Sequence, residues 1–247
     1  MKKVDVEGKV ALVSGSNKGI GRAIVVELIK NGAAKVYAGA RNTRNLESLV
    51  SEFGDQVIPL ELDVTNDAQI KEAVLKAPDV NILVNNAGTL NFGNFSNGQM
   101  MEALKENLEI NVYGTLRMCS AFIPTLKTHD SAAILNVLSI VGLTNVPMTN
   151  AYSVSKAAAH CMTLGLRGEL KNTNIFVAGI YPGPIDTDMG NKVESFEKDT
   201  PENVARGVLS SIKEGMEDIF PDDMAKQFGE IYASSPKQAE RMFADYV

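Results

Sequence analysis

Two cysteines and two histidines among 247 residues leave the chain little with which to build a metal centre or a disulfide framework. Cys119 and Cys161 fall in apolar, helical surroundings, which predicts two small buried hydrophobes in a reducing compartment rather than a bridge. His129 sits in a polar turn and His160 within a helix, neither with a carboxylate or cysteine at ligand spacing, so both read as structural and no metal is expected. Positive charge is also scarce: 24 Lys and Arg against 30 Asp and Glu give a net charge of -6. Without a basic field to attract phosphate backbones, a nucleic-acid partner is not expected. No apolar run is long enough to span a bilayer, and the opening Met-Lys-Lys-Val-Asp-Val-Glu-Gly-Lys is charged where a signal peptide is apolar. These absences predict a cytoplasmic protein with no membrane partner. The ten methionines are scattered among helical stretches and read as core filler.

What the chain does have is a 45% hydrophobic content broken into short runs. Apolar, β-branched stretches recur at Lys9–Val13, Lys35–Ala40, Gln56–Leu60, Asn81–Val84, Ala133–Leu138 and Ile175–Ile180, and helical patterns lie between them. The helices are expected at Ile20–Asn31, Arg44–Phe53, Asn66–Lys76, Met100–Thr128, Tyr152–Asn172 and Pro201–Lys213, with Thr200-Pro201 as a cap followed by a first-turn proline. Strand and helix alternate without a linker, a repeat or a low-complexity segment. That order predicts one α/β domain, a doubly wound parallel sheet with helices on both faces.

Ser14-Gly15-Ser16-Asn17-Lys18-Gly19-Ile20-Gly21 joins the first strand to the first helix, where free backbone amides and the positive helix end can meet a nucleotide pyrophosphate. Its glycines are spaced G-x-x-x-G-x-G rather than G-x-G-x-x-G. At the end of the second strand an NAD site carries an acid for the ribose hydroxyls, whereas a 2′-phosphate is better met by arginine. Here Gly39-Ala40-Arg41 ends the strand, no acid lies between Glu27 and Glu47, and Lys18 adds a second cation. The expected cofactor is therefore NADPH/NADP+ in preference to NADH. Tyr152 and Lys156 lie one turn apart on one helix face, and a neighbouring ammonium is expected to lower the pKa of a phenol.

With this glycine loop, Asn85-Asn86-Ala87-Gly88, Ser139, Tyr152-x-x-x-Lys156 and Pro182-Gly183 in order, the chain resembles the short-chain dehydrogenase/reductase family. The likeness runs from residue 8 to about 213, leaving 214–247 as a C-terminal helical extension of a single domain, and it implies a Rossmann-type sheet of about seven strands. It further implies that Tyr152 acts as general acid or base, that Lys156 lowers its pKa and holds the nicotinamide ribose, and that Ser139 donates to the substrate carbonyl. Asn111 resembles the residue whose backbone holds a water leading from the lysine to solvent. For the cofactor, the resemblance assigns Gly15, Ser16, Asn17, Lys18, Gly19, Ile20 and Gly21 to the phosphate loop. Asp63 and Val64 would contact the adenine, Asn86, Ala87 and Gly88 the adenosine ribose, and Pro182, Gly183, Ile185 and Thr187 the carboxamide.

The implied activity is hydride transfer between NADPH and a small-molecule ketone or aldehyde, or the corresponding alcohol, with a cofactor-binding regulator of little turnover, or an epimerase or dehydratase, as alternatives. Leu138 stands where relatives often carry serine. The polar segment between Thr187 and Thr200 is short for the family's substrate lid, which implies an open pocket for permissive or large substrates. Asp218-Ile-Phe-Pro221 replaces the final strand by which many relatives form tetramers, and the long helices from Met100 and Tyr152 suit a dimer interface, so the partner expected is a second copy in a homodimer or homotetramer. Substrate choice is expected to lie with the loops Thr89–Asn97, Gly142–Asn150 and Met189–Lys198.

Overall fold

Apolar runs without alternation become strands covered on both faces, because each side chain then finds a helix above or below the sheet. A computed structural model describes residues 2–96, 98–193, 196–244 and 246, so Asn97 of the first loop just named, and Glu194 and Ser195 of the third, lie outside the described residues. In chain order the elements are β1 (Val10–Ser14), α1 (Gly19–Lys30), β2 (Lys35–Ala40), α2 (Glu47–Phe53), β3 (Val57–Glu61), α3 (Asp67–Lys76), β4 (Ile82–Asn85), α4 (Met100–Leu108), α5 (Thr115–Leu126), β5 (Ala132–Val137), α6 (Asn150–Glu169), β6 (Ile175–Ile180), α7 (Pro201–Glu214), β7 (Asp218–Ile219), α8 (Asp223–Ser234) and α9 (Pro236–Met242).

The strands form one parallel sheet in the order β3-β2-β1-β4-β5-β6-β7. Alternation along β1 divides the core: Ala11 and Val13 face α1 and α7 through Ile24, Leu28, Val204 and Val208, whereas Leu12 faces α3 and α5 through Ile70, Met118 and Phe122. The chain reverses direction of winding between β1 and β4, and the crevice at their carboxyl ends is where an open α/β sheet receives its ligand.

Three details depart from the sequence reading. The long helix expected from Met100 is interrupted by a π-helical turn at Glu109–Gly114, a feature that hydrophobic periodicity does not register. Asp218–Ile219 pairs with Gly179 and Ile180 as the seventh parallel strand, so the sheet continues past residue 213 into the segment expected to be helical. Two residues are too few to carry a period. Cys119 is buried, and burial pushes its thiol up to about 12, but Cys161 is exposed, because it lies on the outer face of α6 beside the exposed Leu164.

Candidate active site

The glycine loop turns where the sequence places it. Gly15 takes a φ of +65°, open to glycine at little cost, and a Cβ on Gly21 would stand 2.3 Å from Asn86 Nδ2 and 2.4 Å from the Gly15 carbonyl oxygen. Helix α1 then begins with no capping side chain and no acid in its first turn, whereas α3, α7, α8 and α9 are capped by Asn66, Thr200, Asp222 and Ser235. Orphan amides and the positive helix end are thereby left facing a cavity of about 820 Å³ lined by Gly19, Ile20 and Gly21. A pyrophosphate fits that chemistry. Ser14, which stands where the family resemblance places threonine and keeps its hydroxyl, accepts from the amides of Asn86 and Ala87, both at 3.0 Å, and so fastens the β4 end to the loop. Ser16 does not face the cavity: its buried hydroxyl donates to Val13 and Gly39 carbonyls, tying the loop to β1 and β2.

At the other end of the same cavity Ser139, Tyr152 and Lys156 come together. Ser139 follows β5 in extended backbone, its hydroxyl donating to the Pro182 carbonyl and accepting from the Val141 amide, both at 3.4 Å, close enough to Tyr152 to favour its phenolate. Tyr152 and Lys156 share the buried face of α6, and Lys156 Nζ donates to the Val137 carbonyl at 2.9 Å while standing 5.6 Å from the Tyr152 ring centre. The expected lowering of the phenol pKa is not found in this pocket. Burial, the largest influence, pushes Tyr152 up against the opposing pull of the nearby Ser139 hydroxyl, and burial holds Lys156 down to about 8. A cation that is itself costly to charge, and bonded elsewhere, does not outweigh the burial of its neighbour.

Asn111 lies behind the cavity rather than in its wall. From the π-helical turn its Nδ2 donates to the Thr89 carbonyl at 3.0 Å and to Ser155 Oγ at 2.9 Å, and its Oδ1 accepts from the Thr89 amide at 2.9 Å. One turn earlier Asn107 grips the Asn91 amide and carbonyl in the same way. The two asparagines pin the extended segment after Gly88, where Thr89 and Leu90 line the cavity.

The remaining residues named from the sequence line the cavity. Arg41 does so at the end of β2, exposed and without an ion pair among the described residues, with Asn45 next to it in the wall. Lys18 is already paired with Asp188 across the cavity mouth. Asp63 Oδ1 accepts from the Thr65 amide and hydroxyl, which fixes the carboxylate beside Val64, and Asn17, Asn86, Ala87 and Gly88 complete that end. Pro182, Gly183, Ile185 and Thr187 follow β6, the Thr187 hydroxyl accepting from the Gly190 amide at 3.0 Å.

Beyond these, residues near the C-terminus reach the cavity, which the sequence reading did not foresee. Met224 and Phe243 line it together with Phe196, so the pocket is walled on the side where a short polar lid implied an opening. Asp222 fixes this wall: its Oδ2 accepts from the Gly183 amide at 2.9 Å and its Oδ1 from the Ala225 amide at 2.9 Å as the cap of α8. An aspartate just ahead of an amphipathic stretch is a cap signal that could have located α8 in the sequence. Asp222→Ala leaves two backbone amides without an acceptor and is expected to destabilise the protein by about 1–3 kcal/mol, measurable by urea denaturation, with Asp222→Asn recovering only part of the loss because it offers one acceptor oxygen for two amides.

A family model described as short chain dehydrogenase matches residues 9–198. Over 221 residues the chain is 30% identical to an uncharacterized oxidoreductase of Staphylococcus saprophyticus, covering 85% of this chain and 94% of that one. Among solved structures it is similar to a short chain dehydrogenase from Burkholderia cenocepacia in complex with NADP, with a TM-score of 0.89, 35% identity, and coverage of 97% and 99% of the two chains. It is also similar to a 3-ketoacyl-(acyl-carrier-protein) reductase from Brucella melitensis complexed with NADH, at TM-score 0.79 and 26% identity over 86% and 93% of the two chains.

Proposed function

Since the chain belongs to the short-chain dehydrogenase family, we propose that it is an NADP-dependent oxidoreductase interconverting a ketone or aldehyde and its alcohol, with Tyr152 as general acid or base. The observation that carries this reading is one cavity with two ends: the uncapped start of α1 with Arg41 at one, and Ser139, Tyr152 and Lys156 gathered at the other. Gly15, Asn17, Gly19, Ile20 and Gly21 would hold the pyrophosphate, Arg41 the 2′-phosphate, Asp63 and Val64 the adenine, and Pro182, Gly183, Ile185 and Thr187 the carboxamide. When bound, NADPH supplies the hydride.

The chain's own groups supply the rest. Ser139 Oγ donates a hydrogen bond to the substrate carbonyl oxygen, where charge develops. The Tyr152 hydroxyl gives its proton to that oxygen, and in the reverse direction takes one from the alcohol. Lys156 orients the ribose and supplies the positive charge near Tyr152 Oη, while Asn111 positions Thr89 and α6 around it. A short-chain dehydrogenase bound to NADP and a reductase bound to NADH both stand among its structural neighbours, and the unpaired arginine at the end of β2 favours NADP for this chain.

The test is absorbance loss at the NADPH band over a panel of aldehydes, ketones and diketones, repeated with NADH. Carbonyl-dependent oxidation with a preference for NADPH is expected. Arg41→Asp should lower the NADPH-to-NADH ratio of kcat/KM by about tenfold or more, since a carboxylate repels the 2′-phosphate. Absence of turnover across the panel, with tight cofactor binding retained, would point instead to a regulatory protein.

A further inference from the structure

We infer that the substrate is an uncharged carbonyl compound with a sizeable apolar body, and that Phe196, Met224 and Phe243 select it; this rests on the carbonyl reading above. The chemistry of the wall carries the inference. Val141, Val146, Val193, Phe196, Met224 and Phe243 line the cavity, and the hydrophobic cluster that holds all of them but Val193 also contains Leu138 and Ile140, the two neighbours of Ser139. Apolar side chains therefore connect the neighbourhood of the hydroxyl that would meet the carbonyl to the C-terminal helices.

Packing makes that surface firm. Phe243 is 1% exposed, stacked on Phe228 at 5.6 Å and edge-on to Phe196 at 6.0 Å, while Phe196 lies 4.5 Å from Tyr246. The tail is held in turn by the Met148 amide donating to the Tyr246 carbonyl at 3.0 Å, and α8 by Asp222. Such a wall is preformed, as apolar ligand sites are.

Charge is what the wall lacks. Among the described residues the charged members of the cavity are Lys18, Arg41 and Asp63 towards the glycine loop, Asp186 and Asp188 after β6, and Lys156 beneath the tyrosine. The lysines of the segment beside Phe196 are engaged elsewhere, Lys192 on the Leu90 carbonyl at 2.9 Å and Lys198 on Asn191 Oδ1 at 3.0 Å. A carboxylate or phosphate on the substrate would lose its water and gain no partner, whereas each methylene gains by burial.

The test takes the full-length protein with NADPH and two matched series: methyl ketones of rising chain length ending in acetophenone, and 2-oxo acids of the same carbon count. Expected is a kcat/KM that rises about fourfold per added methylene in the first series until the wall is filled, and stays at least about tenfold lower for each acid. Met224→Lys, at a half-buried position that tolerates polarity, should narrow the ketone-to-acid ratio by about tenfold or more, and Phe243→Ala should flatten the chain-length dependence. Because Phe243 is in the core and its variant can fail to fold, Met224→Lys decides alone if it does.

Equal use of acids and ketones, or a ratio unmoved by Met224→Lys, overturns the inference. Binding without turnover is read separately, by saturation-transfer NMR of the same compounds with the protein alone. Preferential binding of the apolar series with no reduction of any member would retire the carbonyl reading and leave only the wall's selection of uncharged, apolar ligands. Neither turnover nor preferential binding would retire this one.

Discussion

Replacing Tyr152 by phenylalanine is expected to lower kcat for NADPH-dependent carbonyl reduction by about 10²–10⁴-fold, roughly 3–5 kcal/mol of transition-state stabilisation, with cofactor affinity nearly unchanged. The substitution removes one oxygen from a buried ring and leaves the packing of α6 intact. What disappears is the proton donor facing Ser139. The effect belongs in kcat rather than KM, since the proton moves only as charge grows on the carbonyl oxygen. Burial pushes the phenol upward, so it keeps its proton across neutral pH and is ready in the reductive direction. Alcohol oxidation requires the phenolate and is expected to accelerate as pH rises. Stopped-flow absorbance with saturating NADPH, paired with fluorescence titration of the cofactor, separates the two effects. Retention of activity in the phenylalanine variant would remove Tyr152 from the mechanism.

Substitution of Lys156 by methionine should act on both rate and stability, in opposite directions. Turnover is expected to fall by at least about 10²-fold, because the ribose contact and the charge near the phenol are lost together. Stability without cofactor should rise. Lys156 is buried and its pKa is held down to about 8 by desolvation. An unfolded lysine keeps its proton to about 10.4, so between these values the unfolded chain binds more protons and the stability of the unsubstituted protein climbs with pH. Below pH 8 the folded protein carries the full cost of a buried ammonium, roughly 3 kcal/mol. The methionine variant should therefore melt above the parent at pH 7, with the gap closing as pH approaches 10. Taking the difference between the two proteins cancels every other titrating group. A gap independent of pH would show that Lys156 is not the group being titrated.

Both residues were legible before any coordinates because their chemistry depends on local spacing. Four residues on a helix put Tyr152 and Lys156 on one face whatever the rest of the chain does, and a glycine-rich turn between an apolar run and a helix leaves amides exposed by its own geometry. Strand positions were equally local, since apolar runs of five or six residues are strands or nothing in this pattern. The consequence of the spacing was less local. A cation one turn away predicted a phenol pushed down, and the pocket pushes it up, because desolvation is a property of everything that surrounds the ring.

Sequence by itself thus determined the strand and helix order, the glycine-rich turn before α1 and the one-turn spacing of Tyr152 and Lys156, for these follow from periods of two and 3.6 residues and from backbone geometry, whereas Ser139 came through the family resemblance. Tertiary structure alone decided that Ser16 turns inward, that Asn111 works from behind through Thr89 and Ser155, and that Asp222, Met224 and Phe243 complete the pocket from the far end of the chain. Gly183 and Asp222, 39 residues apart, have no pattern that links them. Contacts of that kind arise from which surfaces are left to cover once the sheet has formed, and burial is a sum over the whole molecule rather than a feature of any segment.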